Sequence, residues 1–212
     1  MQRITAAKRR ITKVTATKSP FNIILLGDPA SGKATQAARL AKKYGMYDFD
    51  MGNELRHVTN PRDKARLQAT INKGRLAPTD ICRRITRDRL KNLPKSRPIL
   101  FDGHPKMLGE AKLIYKLLEK EGRHRVKCLY LTIPFSEIVR RAKARVIKIR
   151  GRSQKRPDDT VDSIRTRAKY YRVNIKAVVK FFSSKYPYMK VSGLGTRDEV
   201  AKRLNKALEK MK

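Results

Sequence analysis

The chain of 212 residues contains the segment Gly27-Asp28-Pro29-Ala30-Ser31-Gly32-Lys33-Ala34-Thr35-Gln36, which constrains its fold more than any other. An apolar run precedes this segment and an amphipathic stretch follows it, so it is expected to join a strand to a helix. Its spacing satisfies G-x-x-x-x-G-K through Gly27, Gly32 and Lys33. Backbone N–H groups in such a turn, together with one lysine, can hold the phosphates of a nucleotide. The segment therefore predicts a phosphate-binding loop.

Short apolar runs rich in β-branched residues alternate with longer helical patterns along the whole chain. This alternation predicts an α/β fold built on a parallel sheet. Asp158 and Thr196 have the residue types of helix N-caps. Strands are expected at 22–26, 46–49, 98–101, 127–133 and 189–191. Helices are expected at 32–44, 62–73, 79–92, 109–121, 135–149, 158–183 and 196–210.

The composition is strongly basic, with 53 Lys and Arg against 18 Asp and Glu and a net charge of +35. Residues 1–19 hold only six of the basic side chains, so the excess extends over the whole chain. Such a charge attracts polyanions, including RNA, acidic lipid and nucleotides. Between 139 and 156 there are nine basic residues and no acidic one, which indicates a flap that faces phosphate.

The remaining composition narrows the cellular setting. Cys82 and Cys128 form no C-x-x-C pair, so neither a zinc knuckle nor a disulfide framework is predicted. No apolar run approaches the length of a membrane span. The basic segment 1–19 fits a disordered arm or, alternatively, a mitochondrial presequence. We therefore expect a cytoplasmic protein, with the mitochondrial matrix as the alternative, and no membrane partner.

Further motifs follow the loop at domain-scale spacings. They are D-M-G-N-E-L-R at 50–56, G-R-L-A-P-T-D at 74–80, L-F-D-G-H-P-K at 100–106, the pair Arg141 and Arg145, and R-P-D-D at 156–159 before Arg165 and Arg167. With these motifs in this order, the chain resembles an adenylate kinase, or more broadly a nucleoside monophosphate (NMP) kinase, from about residue 21 to residue 212. The resemblance implies a P-loop three-layer α/β/α domain at 20–212 with a five-stranded parallel sheet. It also implies a small helical NMP-binding insertion at about 50–78 and a short lid at about 145–157.

The resemblance also implies the reaction and its site. The substrates would be ATP, with Mg²⁺ as cofactor, and a nucleoside monophosphate, and several arginines would neutralise the charge of the transferring group. Asp102 would act on Mg²⁺ through water, with no direct protein ligand to the metal, and Asp158 and Asp159 would anchor the closed flap. The catalytic residues would be Lys33, Lys106, Arg141, Arg156 and Arg167. ATP would contact Gly27, Pro29, Ala30, Ser31, Gly32, Lys33, Ala34, Thr35, Arg141 and Arg145. The monophosphate would contact Met51, Arg56, Asp102, Gly103, Lys106, Glu110, Arg156 and Arg167.

Several motif positions depart from the family pattern. Ala30 replaces a glycine and would cost about 1 to 2 kcal/mol if that position requires positive φ. Ala34 replaces the glycine that this family carries where other P-loops have Ser or Thr, and it is expected to be benign. Lys106 replaces an arginine and loses its bidentate fork, so slower turnover is expected. Asn53 replaces an aspartate near the expected Mg²⁺ position.

Two further departures concern the acceptor base. Glu110 stands where the family often has a glutamine that reads adenine, and Met51 stands where a threonine contacts the same nucleotide. A carboxylate only accepts hydrogen bonds, which suits guanine or cytosine better than adenine. The alternative is that Glu110 faces solvent on its helix.

Two functions from different classes remain open at the level of the sequence. The first is an NMP kinase that acts as a monomer. The second is a catalytically weak kinase-fold protein that binds RNA or the ribosome through its charge. The short lid lacks Cys and His, so no structural zinc is expected there.

Overall fold

A five-stranded, all-parallel sheet forms the centre of the protein. In the computed structural model, the described residues are 21–71, 73, 75–144, 146–149, 152–155 and 161–211. The sheet contains β1 (Asn22–Gly27), β2 (Tyr47–Asp50), β3 (Ile99–Asp102), β4 (Val126–Thr132) and β7 (Tyr188–Ser192), in the spatial order β2-β3-β1-β4-β7. All five predicted strands are therefore confirmed, with boundaries within one or two residues.

Helices cover both faces of the sheet. Successive residues of β1 point to opposite sides of the sheet, and the apolar side chains on each side pack against a different layer of helices. Ile24 and Leu26 belong to a core cluster with residues of four helices, α2, α4, α5 and α7. Ile23 and Leu25 belong to a second cluster with α1 and α8. This is the predicted three-layer α/β/α arrangement. The helices are α1 (Lys33–Tyr44), α2 (Met51–Arg56), α3 (Pro61–Ile71), α4 (Thr79–Lys91), α5 (Leu108–Lys120), α6 (Phe135–Lys143), α7 (Val161–Ser183) and α8 (Arg197–Lys210).

The expected helix start at Thr196 is confirmed in atomic detail. The Thr196 Oγ1 atom accepts a hydrogen bond from the Glu199 amide, and the Glu199 carboxylate accepts one from the Thr196 amide. This reciprocal arrangement is a capping box, which satisfies two backbone donors at the start of α8. The other predicted cap, Asp158, lies outside the described residues, as does the segment 1–19.

The prediction of one helix over 135–149 is wrong at its C-terminal end. Helix α6 ends at Lys143, and β5 (Val146–Ile149) then pairs antiparallel with β6 (Arg152–Lys155). Three of the four residues of β5 are β-branched, which favours an extended backbone over a helix. The described part of the predicted lid is therefore a two-stranded hairpin. The short helix α2 was not predicted either.

The ends of four parallel strands meet at one edge of the sheet. β1 ends at Gly27, β2 at Asp50, β3 at Asp102 and β4 at Thr132. Ligands of open α/β sheets bind beyond the carboxyl ends of the strands. This edge is therefore the place at which a functional site is expected. No helix among the described residues is long and apolar enough to cross a membrane.

Candidate active site

The segment between β1 and α1 has the backbone geometry of a phosphate-binding loop. Gly32 is the N-cap of α1 and has a φ of 91°. Gly27 lies against the main chain of Leu131 on β4 so closely that a Cβ atom at this position would overlap it. Gly27 is therefore required by a close backbone approach, and Gly32 is required by a left-handed backbone conformation.

Lys33 closes the loop on itself. Its Nζ atom donates hydrogen bonds to the carbonyl oxygens of Gly27 at 2.6 Å and Asp28 at 2.7 Å. The ammonium group therefore lies inside the loop, at the N-terminus of α1, where the helix dipole also favours anions. This placement agrees with the predicted contact between Lys33 and the phosphates of a nucleotide.

Ala30 is the only non-glycine residue with positive φ among the described residues, at 58°. This is the conformation in which an alanine was expected to cost about 1 to 2 kcal/mol. Ser31 is also unusual, because its buried Oγ atom has no hydrogen-bond partner among the described residues. Pro29, Ala34 and Thr35 complete the predicted loop and the first turn of α1.

Asp28 fixes the loop to β4. Its Oδ1 atom accepts a hydrogen bond from the Tyr130 hydroxyl at 2.8 Å. Its Oδ2 atom accepts hydrogen bonds at 3.0 Å from the Thr132 hydroxyl and the Ile133 amide. Three donors thus offset the cost of burying this carboxylate. The sequence analysis missed this role of Asp28, although an acidic residue inside a phosphate loop was a visible signal.

A second connection runs from the loop to α7. The Gly27 amide donates a hydrogen bond to the hydroxyl of Tyr171 at 3.2 Å. Tyr171 is buried, and burial raises the pKa of its phenol above its usual range, so the hydroxyl is neutral at physiological pH. Tyr171 therefore satisfies a backbone donor at the entrance to the phosphate loop, a role that the sequence did not reveal.

Carboxylates face the lysine across the strand ends. Asp50 and Asp102 are paired in register on β2 and β3. Burial and the nearby charges of Asp50 and Asp48, opposed by the charge of Lys33, together raise the pKa of Asp102 to about 7. Burial and the charge of Asp50 also raise the pKa of Asp48 to about 6. This edge of the sheet therefore brings carboxylates with a raised affinity for protons close to the ammonium group of Lys33.

The donor set at this edge fits Mg²⁺ bound through water. Mg²⁺ keeps several waters and takes one or two carboxylates together with the phosphates of its nucleotide. Asp102 ends β3 close enough to Lys33 for their charges to interact, and Asp50 lies beside it. Among the described residues, no group of three or more His, Cys, Asp or Glu side chains could hold a metal ion directly.

The predicted acceptor side begins with an exposed arginine and a turn. The Nη2 atom of Arg56 lies 3.6 Å from the Oδ2 atom of Asp50, which ties α2 to the strand ends. Gly103 follows Asp102 in a left-handed conformation with φ of 62°. Lys106 is half-buried, and its charge lowers the pKa of Asp102. Arg56, Asp102, Gly103 and Lys106 are thus brought to one edge of the sheet.

Two of the predicted base-contacting residues are buried. Met51 is 3% exposed and packs in the core cluster that contains Phe49 and Phe101. Glu110 is 2% exposed, so the alternative that it faces solvent is wrong. Its Oε2 atom accepts hydrogen bonds from the amides of Lys106 and Met107, and its Oε1 atom accepts one from the Thr79 hydroxyl at 2.9 Å.

His104 is a further polar residue of this region that sequence reasoning missed. It is almost fully buried, with Nδ1 3.4 Å from the Oε2 atom of Glu110 and Nε2 2.9 Å from the hydroxyl of Thr86. Burial lowers the pKa of His104 to about 4, so the ring is neutral at pH 7. Glu110 is therefore held by α4, by the strand-end turn and by the first turn of α5.

The predicted arginines in the lid and on the helices beside it are only partly described. Arg141 lies on α6, where its Nε atom donates a hydrogen bond to Glu137 at 2.5 Å. Arg167 belongs to α7. Arg145, Arg156, Asp158 and Asp159 lie outside the described residues, and the roles predicted for them and for the Arg167 side chain stay predictions.

A phosphate loop on a five-stranded parallel sheet, with a lysine and an acidic strand end beside it, defines a P-loop nucleotide-binding protein. A sequence model of the adenylate kinase family matches residues 25–186. The chain is 32% identical to an adenylate kinase of Thermus thermophilus over 188 residues, 88% of this chain and 96% of that protein. It is 28% identical to an adenylate kinase of Bacteroides thetaiotaomicron over 193 residues, covering 90% of this chain and 100% of that protein.

A third relative, an adenylate kinase of Maricaulis maris, is 31% identical over 191 residues, 89% of this chain and 99% of that protein. The chain belongs to the adenylate kinase family. It is a phosphotransferase whose acceptor is a phosphate group. The resemblance drawn from the motifs is thus confirmed.

Proposed function

We propose that the protein catalyses reversible phosphoryl transfer from ATP to a nucleoside monophosphate, as a monomeric enzyme of nucleotide biosynthesis. The observation that carries this proposal is the position of Lys33. Its ammonium group lies within the phosphate loop and interacts with Asp102, on the edge of the sheet that also presents Arg56 and Lys106. The donor phosphates can thus be held beside Lys33, and the acceptor phosphate beside Arg56 and Lys106.

The chain's own residues supply positioning and charge. Loop amides at the N-terminus of α1 and the Lys33 ammonium bind the donor phosphates, and Arg56 and Lys106 bind the acceptor phosphate. Arg141 approaches from α6, where Glu137 orients its guanidinium. Asp102 would hold Mg²⁺ through water, and the ion would supply positive charge to the donor phosphates. The lid excludes water, so that the phosphoryl group is transferred to the acceptor and not hydrolysed.

The test compares Lys33→Ala with Lys42→Ala in assays of ADP formation from ATP and a monophosphate. Lys42 is an exposed residue of the same helix, so its loss removes the same charge without touching the loop. Lys33→Ala is expected to reduce kcat by at least about 100-fold, in line with the loss of a group that stabilises transition-state charge. Equal activities of the two variants would refute the proposal.

We further propose that the acceptor preference is shifted from AMP towards GMP or CMP. Glu110 accepts hydrogen bonds from protein donors on both oxygens, and Thr79 donates to its Oε1 atom. A carboxylate oxygen can accept a second hydrogen bond, so Oε1 retains the capacity to accept from a base. Guanine presents two adjacent donors, its N1–H and its 2-amino group, to such an acceptor, whereas adenine and cytosine each place a ring acceptor beside the amino group, so GMP is favoured over CMP.

Coupled assays with AMP, GMP, CMP and UMP measure this preference directly. We expect kcat/KM for GMP to exceed that for AMP, and Glu110→Gln to move the ratio back towards AMP. A clear preference of the parent protein for AMP would exclude the shifted specificity, while leaving the kinase assignment intact.

A further inference from the structure

The outer face of α7 carries a row of basic side chains, which we call the α7 stripe. Its members share one helix face at steps of four, three, four and four residues, and all are exposed. At a rise of about 1.5 Å per residue the row is about 22 Å long. The stripe consists of Arg165, Lys169, Arg172, Lys176 and Lys180.

Within the part of the chain that the structure describes, no ion pair joins this row to an acidic side chain. The sequence contains no Asp or Glu from 163 to 197. Asp162 precedes Arg165 by three residues and marks the N-terminal end of the same face. On the neighbouring helix α6, Glu137 is already paired with Arg140 and Arg141. The stripe is thus a continuous cationic surface outside the phosphate-loop edge.

An apolar groove of about 480 Å³ opens within the stripe. Its lining combines Phe135 at the start of α6 with Ala168 and Val173 on α7, between the basic side chains. Phe135 is 38% exposed and Val173 is 68% exposed. The guanidinium carbon of Arg172 lies 5.5 Å from the centre of the Phe135 ring. Aromatic rings and arginine planes are both surfaces on which nucleobases stack.

We propose that the α7 stripe and this groove bind a single-stranded nucleic acid, with backbone phosphates along the basic row and one base in the groove. The charge of the face selects a polyanion, and the groove selects one with an accessible planar base. Bases of a duplex are stacked inside it and cannot enter a side pocket, so a single strand fits better.

Other partners fit this surface less well. A membrane-bound helix must insert a broad apolar face, but the apolar face of α7 is used in the protein core, where Tyr171, Ile175 and Val178 are buried. A protein interface requires a contiguous apolar centre. Among the described residues of this face, only Phe135 and Val173 are large exposed apolar side chains besides the neighbouring Tyr170.

The experiment measures binding of the full chain to a fluorescein-labelled 15-nucleotide oligouridylate and to the matching oligodeoxythymidylate, by anisotropy between 50 and 200 mM KCl. The two probes show whether the protein prefers RNA or DNA, since both offer phosphates and accessible bases. Single-strand contacts give a slope of log K against log salt of about −0.7 per phosphate, so five contacts predict about −3.5.

The test variant replaces Lys169, Arg172 and Lys176 by glutamine, and its control replaces Lys202, Lys206 and Lys210 of α8. Both variants remove three exposed positive charges from one helix, but the α8 face also carries Glu209 and lacks the groove. We expect the α7 variant to bind at least about tenfold more weakly and its salt slope to weaken by about 2. The α8 variant is expected to change affinity less than about threefold. ADP formation by both variants should match the parent, which shows that they fold.

Phe135→Ala separates stacking from charge. It should weaken binding by roughly 5- to 100-fold, the loss expected for one stacked base, without a change in salt slope. Equal losses in the α7 and α8 variants, an unchanged affinity in Phe135→Ala, or equal binding of a duplex of the same length would each overturn the proposal. Binding of the protein to anionic vesicles but not to either oligonucleotide would do so as well.

Discussion

Asp50 and Asp102 end neighbouring parallel strands at paired positions, so two carboxylates share the edge of the sheet that faces the phosphate loop. Burial, together with the charge of Asp50, raises the pKa of Asp102 to about 7. In an unfolded chain the same carboxyl group titrates near 4. The folded protein therefore holds this proton more tightly than the unfolded chain does, and it loses stability as the pH rises from about 4 to about 7.

Asp102→Asn should therefore separate stability from activity. Asparagine imitates the protonated carboxyl, so we expect the variant to melt at a higher temperature than the parent at pH 8 and at a similar temperature at pH 4. ADP formation should fall sharply, because the ionised carboxylate beside Mg²⁺ is lost. Thermal unfolding between pH 4 and 8 is the measurement. Asp88→Asn, an exposed change on α4, should show no such pH-dependent gain, and a variant at position 102 without one would refute this account.

Ala30→Gly should stabilise the protein. Glycine adopts the observed φ of 58° without the steric cost that Ala30 carries, so the free energy of unfolding should rise by about 1 kcal/mol. Ala34→Gly makes the same chemical change inside α1 and should lower it by up to about 1 kcal/mol. Urea unfolding of both variants gives the comparison. Changes of the same sign would contradict the conformational explanation.

Tyr171→Phe should weaken nucleotide binding from a distance. The substitution removes the hydroxyl that accepts the Gly27 N–H and leaves a buried donor unsatisfied, which costs about 1 to 3 kcal/mol. Because Gly27 opens the phosphate loop, we expect KM for ATP to rise more than KM for the acceptor. Tyr170→Phe, at an exposed position next to it, is the control. If both KM values move together, Tyr171 serves only the general stability of the fold.

His104 and Glu110 should be energetically coupled. Their side chains are buried 3.4 Å apart, so His104→Phe or Glu110→Gln each leaves the other with a changed partner. We expect the double variant to lose less stability than the sum of the single variants, by at least about 0.5 kcal/mol. Chemical denaturation of the four proteins closes the cycle. Strict additivity would show that the contact contributes nothing.

The sequence predicted the layers of the fold well because periodicity records them directly. The continuous apolar run at 22–26 specifies a central strand that is buried on both faces, and Thr196 specifies a capped helix start. Both were confirmed. The hairpin of β5 and β6 was missed because each strand has only four residues, which is too short for periodicity to distinguish a strand from the end of a helix. The antiparallel pairing of these two strands is a non-local property, so the pattern of neither segment alone predicts it.

The phosphate loop was likewise predictable, since its amides act at fixed sequence spacing. The supports of the site were not. Tyr171 reaches Gly27 across 144 residues, and Thr79 reaches Glu110 across 31. Such partners are set by how α7 and α4 pack, which no local pattern encodes. The burial of Glu110 follows from that packing, whereas its identity as a carboxylate was visible from the start.

The tethers on the phosphate loop also bear on how long a nucleotide stays bound. Lys33 bonds to two loop carbonyls, Asp28 is fixed to β4, and Gly27 is fixed to α7, so the loop has its shape before a ligand arrives. Association then does not wait for the loop to form, and the charge of +35 steers anions towards the protein. Loosening any one tether should therefore shorten the residence time of the nucleotide and leave its rate of encounter nearly unchanged.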